Sequence, residues 1–286
     1  MARLIPTPNG LTIESIQEIF NSFSIDGSLD GSLAGYALDS TKRFLHTWNL
    51  ASGLSGSALE LGANPYFTTW LLRTYTDLDI TLANFFGTAD TVGSQEVALT
   101  VGQERHTFKA DFHHFNIETA TYPFADKSFD VVFFCEILEH LQHDPTWPLR
   151  EIHRVLKDDG VLILTTPNAA DASKIHAVLK GHSIWDQYSG HGVYGRHSRE
   201  YSFGEVHRIV EHTGFVIEQA FTADSYPFQH PWWLRNRLIK RVIWSSERRR
   251  SLGQYTFIRA RKSKNPVEGL PSWLFRDYSS DLMSNE

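Results

Sequence analysis

Residues 57–75, SALELGANPYFTTWLLRTY, place a short apolar strand directly before a helical segment. The strand is predicted over 57–62, and Pro65 suits the first turn of the helix, where its missing N–H leaves no hydrogen bond unmade. Gly62 stands at the turn between them and lets the backbone approach a ligand closely. This strand–turn–helix unit is the building block of an α/β sheet.

Similar units follow along the chain as far as residue 262. The polar residues 87–96 are predicted to be a connection. Alternating strands and helices predict a doubly wound, mainly parallel sheet that is covered on both faces by right-handed crossovers. A ligand is expected beyond the carboxyl ends of the strands, next to the first strand. The further strands are predicted at 79–86, at 106–117, from Ser128 onward, and at 161–168, 215–221 and 254–262, with helices at 147–157 and 201–214.

The N-terminal segment, residues 1–55, has no strand pattern and is predicted to form a helical lid. One helix is expected at 13–23, and a second is expected to be capped by Ser40 and to run through Trp48. Residues 24–36, SIDGSLDGSLAGY, are predicted to be a loop between them. The domain that follows is predicted over 56–264, with an insertion at 170–200 and a basic helical segment at 230–250, and residues 265–286 form a tail.

The composition is that of an ordinary soluble globular protein: of 286 residues, 41% are hydrophobic and 21% are charged. No apolar run is long enough to suggest a membrane span, and the N-terminus lacks the apolar core of a secretory signal. A single cysteine, Cys135, excludes an intrachain disulfide and a multi-cysteine metal cluster, and it agrees with a reducing cytoplasm. Residues 235–264 carry eleven Lys or Arg and one acid, in a chain whose net charge is −6.

Three stretches together resemble the class I S-adenosylmethionine (SAM)-dependent methyltransferases: ALELGANPY (58–66), YPFADKSFDVVFFCEILEHL (122–141) and LREIHRVLKDDGVLILTTPN (149–168). The resemblance implies a seven-stranded Rossmann-like sheet whose last strand inserts antiparallel. It departs from the family at Asn64 and Tyr66, where many members have glycine, and at Asn84, where many have an acid that holds the ribose. The cofactor-binding residues that it implies are Glu60, Gly62, Ala63, Asn64, Asn84, Asn116, Ile117, Glu118 and Cys135.

Glu136, Glu139 and His140 have the spacing i, i+3 and i+4, which would place them on one helical face. Two carboxylates and an imidazole suit Mg²⁺ or Mn²⁺, although a solvated acidic helix start has the same pattern. The E-x-x-E-H arrangement is similar to that of metal-dependent small-RNA 3′-end 2′-O-methyltransferases and ubiquinone-pathway O-methyltransferases. That similarity implies a further histidine ligand, His197, and a site made of Glu136, Glu139, His140 and His197.

His140 is expected to be either a metal ligand or the general base, and His143 is a second catalytic candidate whose alternative is a loop histidine. The insertion is rich in aromatic residues, histidine and glycine, and its stretch through GRHSREY resembles methyltransferases of bacterial sugar and polysaccharide modification. Stacking and hydrogen bonding to an acceptor are therefore expected, with a self-packed loop as the alternative. The candidate acceptor-binding residues are Trp185, Tyr188, Tyr194, Arg196 and Arg199.

These expectations combine into a Mg²⁺-assisted O-methyltransferase that acts on a hydroxyl of a sugar or glycan. Two alternatives stay open: an RNA 3′-end 2′-O-methyltransferase, and a methyltransferase-like binding protein without catalysis. The acidic bulk of the chain disfavours nucleic acid as a partner without excluding it, and a homo-oligomer stays open. The basic residues 235–264 predict either a docking surface for an anionic partner or the solvated face of a helix.

Overall fold

The computed structural model describes residues 5–28, 31–87, 91–190, 193–226, 248 and 250–276. Six α-helices, nine strands and two short 3-10 helices, at Leu138–His140 and Val193–Gly195, lie in this part of the chain. The α-helices are α1 (Ile13–Asn21), α2 (Gly31–Leu50), α3 (Phe67–Tyr75), α4 (Thr146–Val155), α5 (Ala172–Leu179) and α6 (Phe203–His212). The strands are β1 (Ser24–Ile25), β2 (Ser55–Leu61), β3 (Asp77–Asn84), β4 (Thr91–Val101), β5 (Glu104–His114), β6 (Phe129–Cys135), β7 (Leu156–Pro167), β8 (Phe215–Ala223) and β9 (Tyr255–Lys262).

One sheet contains all nine strands in the order β1-β4-β5-β3-β2-β6-β7-β9-β8. Its centre, β5-β3-β2-β6-β7, is parallel, as the alternation of strands and helices predicts. The strand β9 lies antiparallel between β7 and β8. The α/β class and the mainly parallel sheet are confirmed, but the expected number of seven strands is wrong, since β1 and β4 extend the sheet beyond β5.

The additional strand β4 falls on the polar stretch that was expected to be a connection. It forms a hairpin with β5 that pairs without interruption from Thr91 opposite His114 to Val101 opposite Glu104. Alternate residues of β4 face the core, with Val97 and Leu99 buried. The residues on its other face are mostly polar, so the composition of the stretch alone did not indicate a strand.

The N-terminal helices pack against each other and against the sheet, α1 on β4 and α2 on β7 and β9. Helix α1 begins at a capping box formed by Thr12 and Ser15, as its amphipathic pattern predicts. Helix α2 is longer than expected, because it begins at Gly31. Ser40, which is fully buried, lies inside this helix and is therefore not its cap. The residues expected to be a loop, 24–36, instead hold β1 and the first turn of α2.

No helix in the described parts of the chain is long and apolar enough to span a membrane. The basic helical segment expected at 230–250 lies outside the described residues except for positions 248 and 250.

Candidate functional site

A cavity opens at the carboxyl ends of β2 and β6. The turn after β2 forms one wall, and the residues that follow β6, together with α2, form the rest. Gly62 adopts φ 65°, a conformation that favours glycine, and a Cβ there would lie 3.1 Å from Ile137 Cδ1. The lining residues include Tyr36, Arg43, Phe44, Glu60, Gly62, Ala63, Asn64, Cys135, Glu136 and Thr165.

The turn is held against β3 by backbone hydrogen bonds. The N–H groups of Gly62 and Ala63 donate to the Ala83 carbonyl at 2.8 and 3.3 Å. Glu60, at the end of β2, is 4% exposed and accepts a hydrogen bond from Thr69 Oγ1 at 2.6 Å. Burial raises the pKa of Glu60 to about 7. The cavity wall therefore carries a carboxyl group that is close to its titration point at neutral pH.

Asn84, which the resemblance assigns to the ribose, is bound to the turn itself. Its Oδ1 accepts from the Asn64 backbone N–H at 2.9 Å, and its Nδ2 donates to the Tyr66 hydroxyl at 3.1 Å. Gln95 of β4 accepts from the Tyr66 hydroxyl at 2.6 Å and from Asn64 Nδ2 at 3.1 Å. Asp26 in turn accepts from Gln95 Nε2 at 3.2 Å. The added strands thus contribute side chains that fix the turn.

The residues expected around adenine lie beside the insertion. Tyr194 donates to Glu118 Oε2 at 3.0 Å and accepts from Asn116 Nδ2 at 3.1 Å. The Glu118 side chain is 1% exposed and also accepts the backbone N–H groups of Gln142 and His143, at 2.6 and 2.5 Å. Tyr194, a candidate acceptor-binding residue, therefore contacts two of the candidate cofactor-binding residues.

Two other candidate cofactor-binding residues contribute apolar surface and a thiol. Ile117 packs, half-buried, against the core cluster under β6 and β7. Cys135 lines the cavity, and burial raises the pKa of its thiol, which keeps the thiol neutral.

Glu136 does not lie on a common helical face with Glu139 and His140. It has φ 56°, no α-helix follows β6 directly, and only a 3-10 helix spans Leu138–His140. Its carboxylate forms a salt bridge with Arg43 Nη1 of α2 at 2.7 Å and accepts from Thr165 Oγ1 at 2.7 Å. The structure therefore turns Glu136 toward the cavity and away from the expected set of four ligands.

Glu139, His140 and His197 do come together. One possible ligand atom from each lies within 4.8 Å of the other two. Glu139 is 1% exposed, and its Oε2 accepts from Thr166 Oγ1 at 2.9 Å. Its Oε1 has no hydrogen-bond partner within the described part of the chain and lies 3.9 Å from His140 Nε2. A buried carboxylate oxygen without a partner is the feature that a bound cation would satisfy.

Both imidazoles are oriented through Nδ1. His140 Nδ1 lies 3.0 Å from the Arg196 carbonyl, and His197 Nδ1 lies 2.9 Å from Glu200 Oε1. A carbonyl and a carboxylate accept hydrogen bonds, so each Nδ1 carries the proton and each Nε2 keeps its lone pair. Glu200 is itself paired with Lys174. Metal-binding histidines are commonly held in this way.

The pKa shifts of the three residues differ in direction. Burial and the neighbouring Glu136 carboxylate raise the pKa of Glu139. Burial and His197 lower the pKa of His140, which favours a neutral imidazole. Burial lowers the pKa of His197 as well, but Glu200 and Glu139 outweigh it and raise that pKa overall. A cation in the cluster would lower the free energy of the Glu139 carboxylate and of both neutral imidazoles.

The insertion is bound to the segment after β6 by its backbone. The N–H groups of Ser198 and Arg199 donate to the Glu139 carbonyl at 2.7 and 3.2 Å, which brings His197 to the cluster. Beside it is a second cavity, whose lining includes His197, Trp185, Asp186, Arg199 and Glu200.

Tyr188, Arg199 and the catalytic candidate His143 are not members of the cluster. Tyr188 is 90% exposed, and the Arg196 guanidinium lies over its ring at 4.7 Å. Arg199 donates to Glu205 at 2.8 Å. The imidazole of His143 is largely exposed, and its Nδ1 is 3.3 Å from Glu118 Oε1 rather than in the cluster.

Arg43, Gln95 and Glu200 line or support the two cavities and were not expected from the sequence. Arg43 was missed because it lies in the N-terminal segment, which has no strand pattern. Gln95 was missed because it lies in a polar stretch that was predicted to be a connection. Glu200 had a usable signal, because a carboxylate three residues after His197 can accept a hydrogen bond from the imidazole.

Comparison with solved structures finds methyltransferases among the matching chains. An S-adenosylmethionine-dependent methyltransferase from Thermotoga maritima is 15% identical, with a TM-score of 0.48, over 80% or more of both chains (81% of this one and 95% of the other). The methyltransferase of Haloferax volcanii, in complex with the Trm112 methyltransferase activator, is 16% identical, with a TM-score of 0.47, over 80% of this chain and 94% of the other.

The 1,6-didemethyltoxoflavin-N1-methyltransferase of Burkholderia thailandensis, with bound S-adenosylhomocysteine, is 13% identical, with a TM-score of 0.42, over 77% of each chain. No curated protein sequence matches this chain. Residues 60–164, which run from Glu60 at the cavity to the middle of β7, match the sequence model of a family described as a methyltransferase domain. The match covers 105 of the 286 residues and supports a methyltransferase domain.

Proposed function

We propose that the protein is a SAM-dependent O-methyltransferase that is assisted by a divalent ion and acts on a hydroxyl of a sugar or glycan. The observation that carries the methyltransferase assignment is the cavity at the turn after β2. This turn lies inside the segment that matches the methyltransferase domain. The ion, the hydroxyl and the acceptor class rest on the neighbouring side chains.

The cofactor would lie against the turn of Gly62, a left-handed residue that lines the cavity. Arg43 and Glu136 present one positive and one negative group at the same cavity, and SAM carries both charges on its methionine portion. Asn84 is bound to the turn, so the ribose would be held by other groups than its amide.

The cluster of Glu139, His140 and His197 supports transfer to oxygen. A sugar hydroxyl is barely acidic, and a divalent ion bound there would lower its pKa and orient it toward the methyl group. One end of β7 contributes to both sites, because Thr165 lines the cavity and the next residue, Thr166, binds Glu139. If the ion is absent, the neutral His140 can accept the proton as a general base.

The second cavity supports a polyhydroxylated acceptor. It shares His197 with the cluster, so an acceptor bound there would reach the ion. Trp185 is 76% exposed and offers an aromatic face for a sugar ring, while Asp186, Arg199 and Glu200 offer acceptors and donors for neighbouring hydroxyls.

The test is calorimetry with SAM, followed by transfer of a labelled methyl group to a panel of saccharides and short RNAs. We expect micromolar binding of SAM and label on a saccharide. Gly62→Ala places a side chain at a left-handed residue and should weaken SAM binding, whereas Gly53→Ala, at a left-handed residue far from the cavity with open space around it, is the matched control. Absence of SAM binding in the folded protein would contradict the methyltransferase assignment. If only RNA were labelled, RNA would replace a sugar or glycan as the proposed acceptor.

A further inference from the structure

The hydroxyl group of Tyr194 attaches the insertion to the segment that follows β5. Tyr194 lies in the short 3-10 helix Val193–Gly195. Its hydroxyl donates to Glu118 Oε2 at 3.0 Å and accepts from Asn116 Nδ2 at 3.1 Å. One side chain of the insertion therefore binds an acceptor and a donor at the same time.

The acceptor and the donor are oriented by contacts other than Tyr194. Asn116 Oδ1 accepts the Glu118 backbone N–H at 2.9 Å, which leaves Asn116 Nδ2 for the hydroxyl. Glu118 is buried, and its Oε1 accepts the backbone N–H groups of Gln142 and His143 at 2.6 and 2.5 Å. A carboxylate oxygen and an amide N–H are thus fixed side by side after β5.

A donor beside an acceptor is the arrangement that complements the edge of adenine. Adenine presents an amino group that donates next to a ring nitrogen that accepts, and an asparagine amide binds such an edge well. Glu118 Oε2 can accept from the amino group, and Asn116 Nδ2 can donate to the ring nitrogen. The Tyr194 hydroxyl also donates and accepts, so it satisfies the same two groups.

The base of SAM would reach these two groups from the turn of Gly62. The strands β2, β3 and β5 are parallel neighbours, so their carboxyl ends follow one another along the sheet. Two strand spacings, about 10 Å, separate β2 from β5. The ring of Phe85, directly after β3, lies 5.8 Å from the ring of Tyr194. A cofactor that extends along these strand ends would bring its adenine to the Tyr194 hydroxyl.

We propose that the Tyr194 hydroxyl and the adenine of SAM compete for Glu118 and Asn116, so that cofactor binding releases one attachment of the insertion. This inference rests on the proposed function, because it concerns how the same protein binds SAM. Tyr194 is a positioning residue, since it acts on the reaction through the placement of the insertion.

The competition sets an order of binding. Asp186 and Trp185 line the second cavity, and Asp186 accepts the His197 backbone N–H at 3.0 Å. The wall of that cavity is thus connected to the part of the insertion that Tyr194 attaches. The Ser198 N–H still donates to the Glu139 carbonyl when Tyr194 is released, so the insertion stays bound at its other end. The cofactor therefore binds first and loosens the wall of the second cavity for the acceptor.

The experiment is calorimetric titration of the full chain with S-adenosylhomocysteine, in the unmodified protein and in Tyr194→Phe. The variant keeps the ring and removes only the hydroxyl, so adenine no longer has a competitor. We expect Tyr194→Phe to bind S-adenosylhomocysteine roughly 5- to 10-fold more tightly than the unmodified protein. Tyr75→Phe, at the end of α3 and beside the first residue of β3, is the matched control and should leave this affinity unchanged.

Hydrogen exchange of residues 193–197 is the second readout. S-adenosylhomocysteine should speed exchange there in the unmodified protein, whereas Tyr194→Phe should exchange fast with and without the ligand. A merely structural role for Tyr194 predicts weaker or equal affinity in the variant, and either result would overturn the inference, as would slower exchange in the unmodified protein on adding the ligand. Tight binding by the unmodified protein without a gain in Tyr194→Phe refutes only the competition. Absence of binding in the unmodified protein refutes the proposed function, and this inference with it.

Discussion

Glu60 illustrates how the position of one residue shapes the behaviour of the site. Burial raises its pKa from 4.5 to about 7, so between these pH values the folded chain holds a proton that the unfolded chain releases. The free energy of unfolding should therefore fall as pH rises through this interval, by up to ~1.4 kcal/mol per pH unit. Glu60→Gln cannot ionise and should lack this slope, which urea unfolding between about pH 5 and about pH 8 would measure.

Thr69→Val provides the control for this prediction. It removes the hydrogen bond that stabilises the ionised Glu60, so the pKa of Glu60 should rise further and the slope should extend to higher pH. Identical pH profiles for the unmodified protein and Glu60→Gln would contradict the assignment of the slope to this carboxyl group.

At the scale of an element, the β4–β5 hairpin contacts the turn after β2 through the side chain of Gln95. Gln95 accepts from both Tyr66 and Asn64 and donates to Asp26. Gln95→Ala should remove hydrogen bonds that stabilise the turn by about 1–2 kcal/mol of free energy. If SAM binding needs the ordered turn, this loss corresponds to roughly 10-fold weaker SAM binding.

The matched control for Gln95 is Glu96→Ala, the next residue on β4, whose side chain is exposed. We expect SAM affinity close to that of the unmodified protein in this control, measured by the same calorimetry. Equal affinities in Gln95→Ala and Glu96→Ala would show that the hairpin does not support the turn.

The helices and strands could be predicted where the apolar residues follow a strong periodic pattern. The candidate site could be predicted only in part. The central strands follow from apolar runs such as that of 129–135, and the meeting of His140 with His197 was expected from the family resemblance. Glu136 was misplaced, because its left-handed backbone and its pairing with Arg43 depend on tertiary contacts. Asn84 was assigned to the ribose by position alone, and the buried Tyr66 hydroxyl that binds it belongs to the turn.

At the scale of the whole molecule, the salt bridge of Arg43 with Glu136 joins the N-terminal helices to the centre of the sheet. The two side chains are 4% and 18% exposed, and the guanidinium also lies 5.1–5.3 Å from the rings of Tyr36, Phe44 and Tyr255. Residues of α2, which spans 31–50, thereby form one wall of the cavity at the turn after β2.

Removing only one charge of the Arg43–Glu136 salt bridge should therefore destabilise the whole protein. Arg43→Met leaves the Glu136 carboxylate largely buried without its partner and should lower the free energy of unfolding by about 3–5 kcal/mol. The double variant, Arg43→Met with Glu136→Gln, removes the uncompensated charge and should recover a substantial part of that loss, because the two effects are coupled. Urea unfolding of the two single variants and the double variant measures the coupling. If the losses simply add, the pair does not act as a unit, and the attachment of α2 to the sheet depends on the apolar contacts of Phe44 and its neighbours instead.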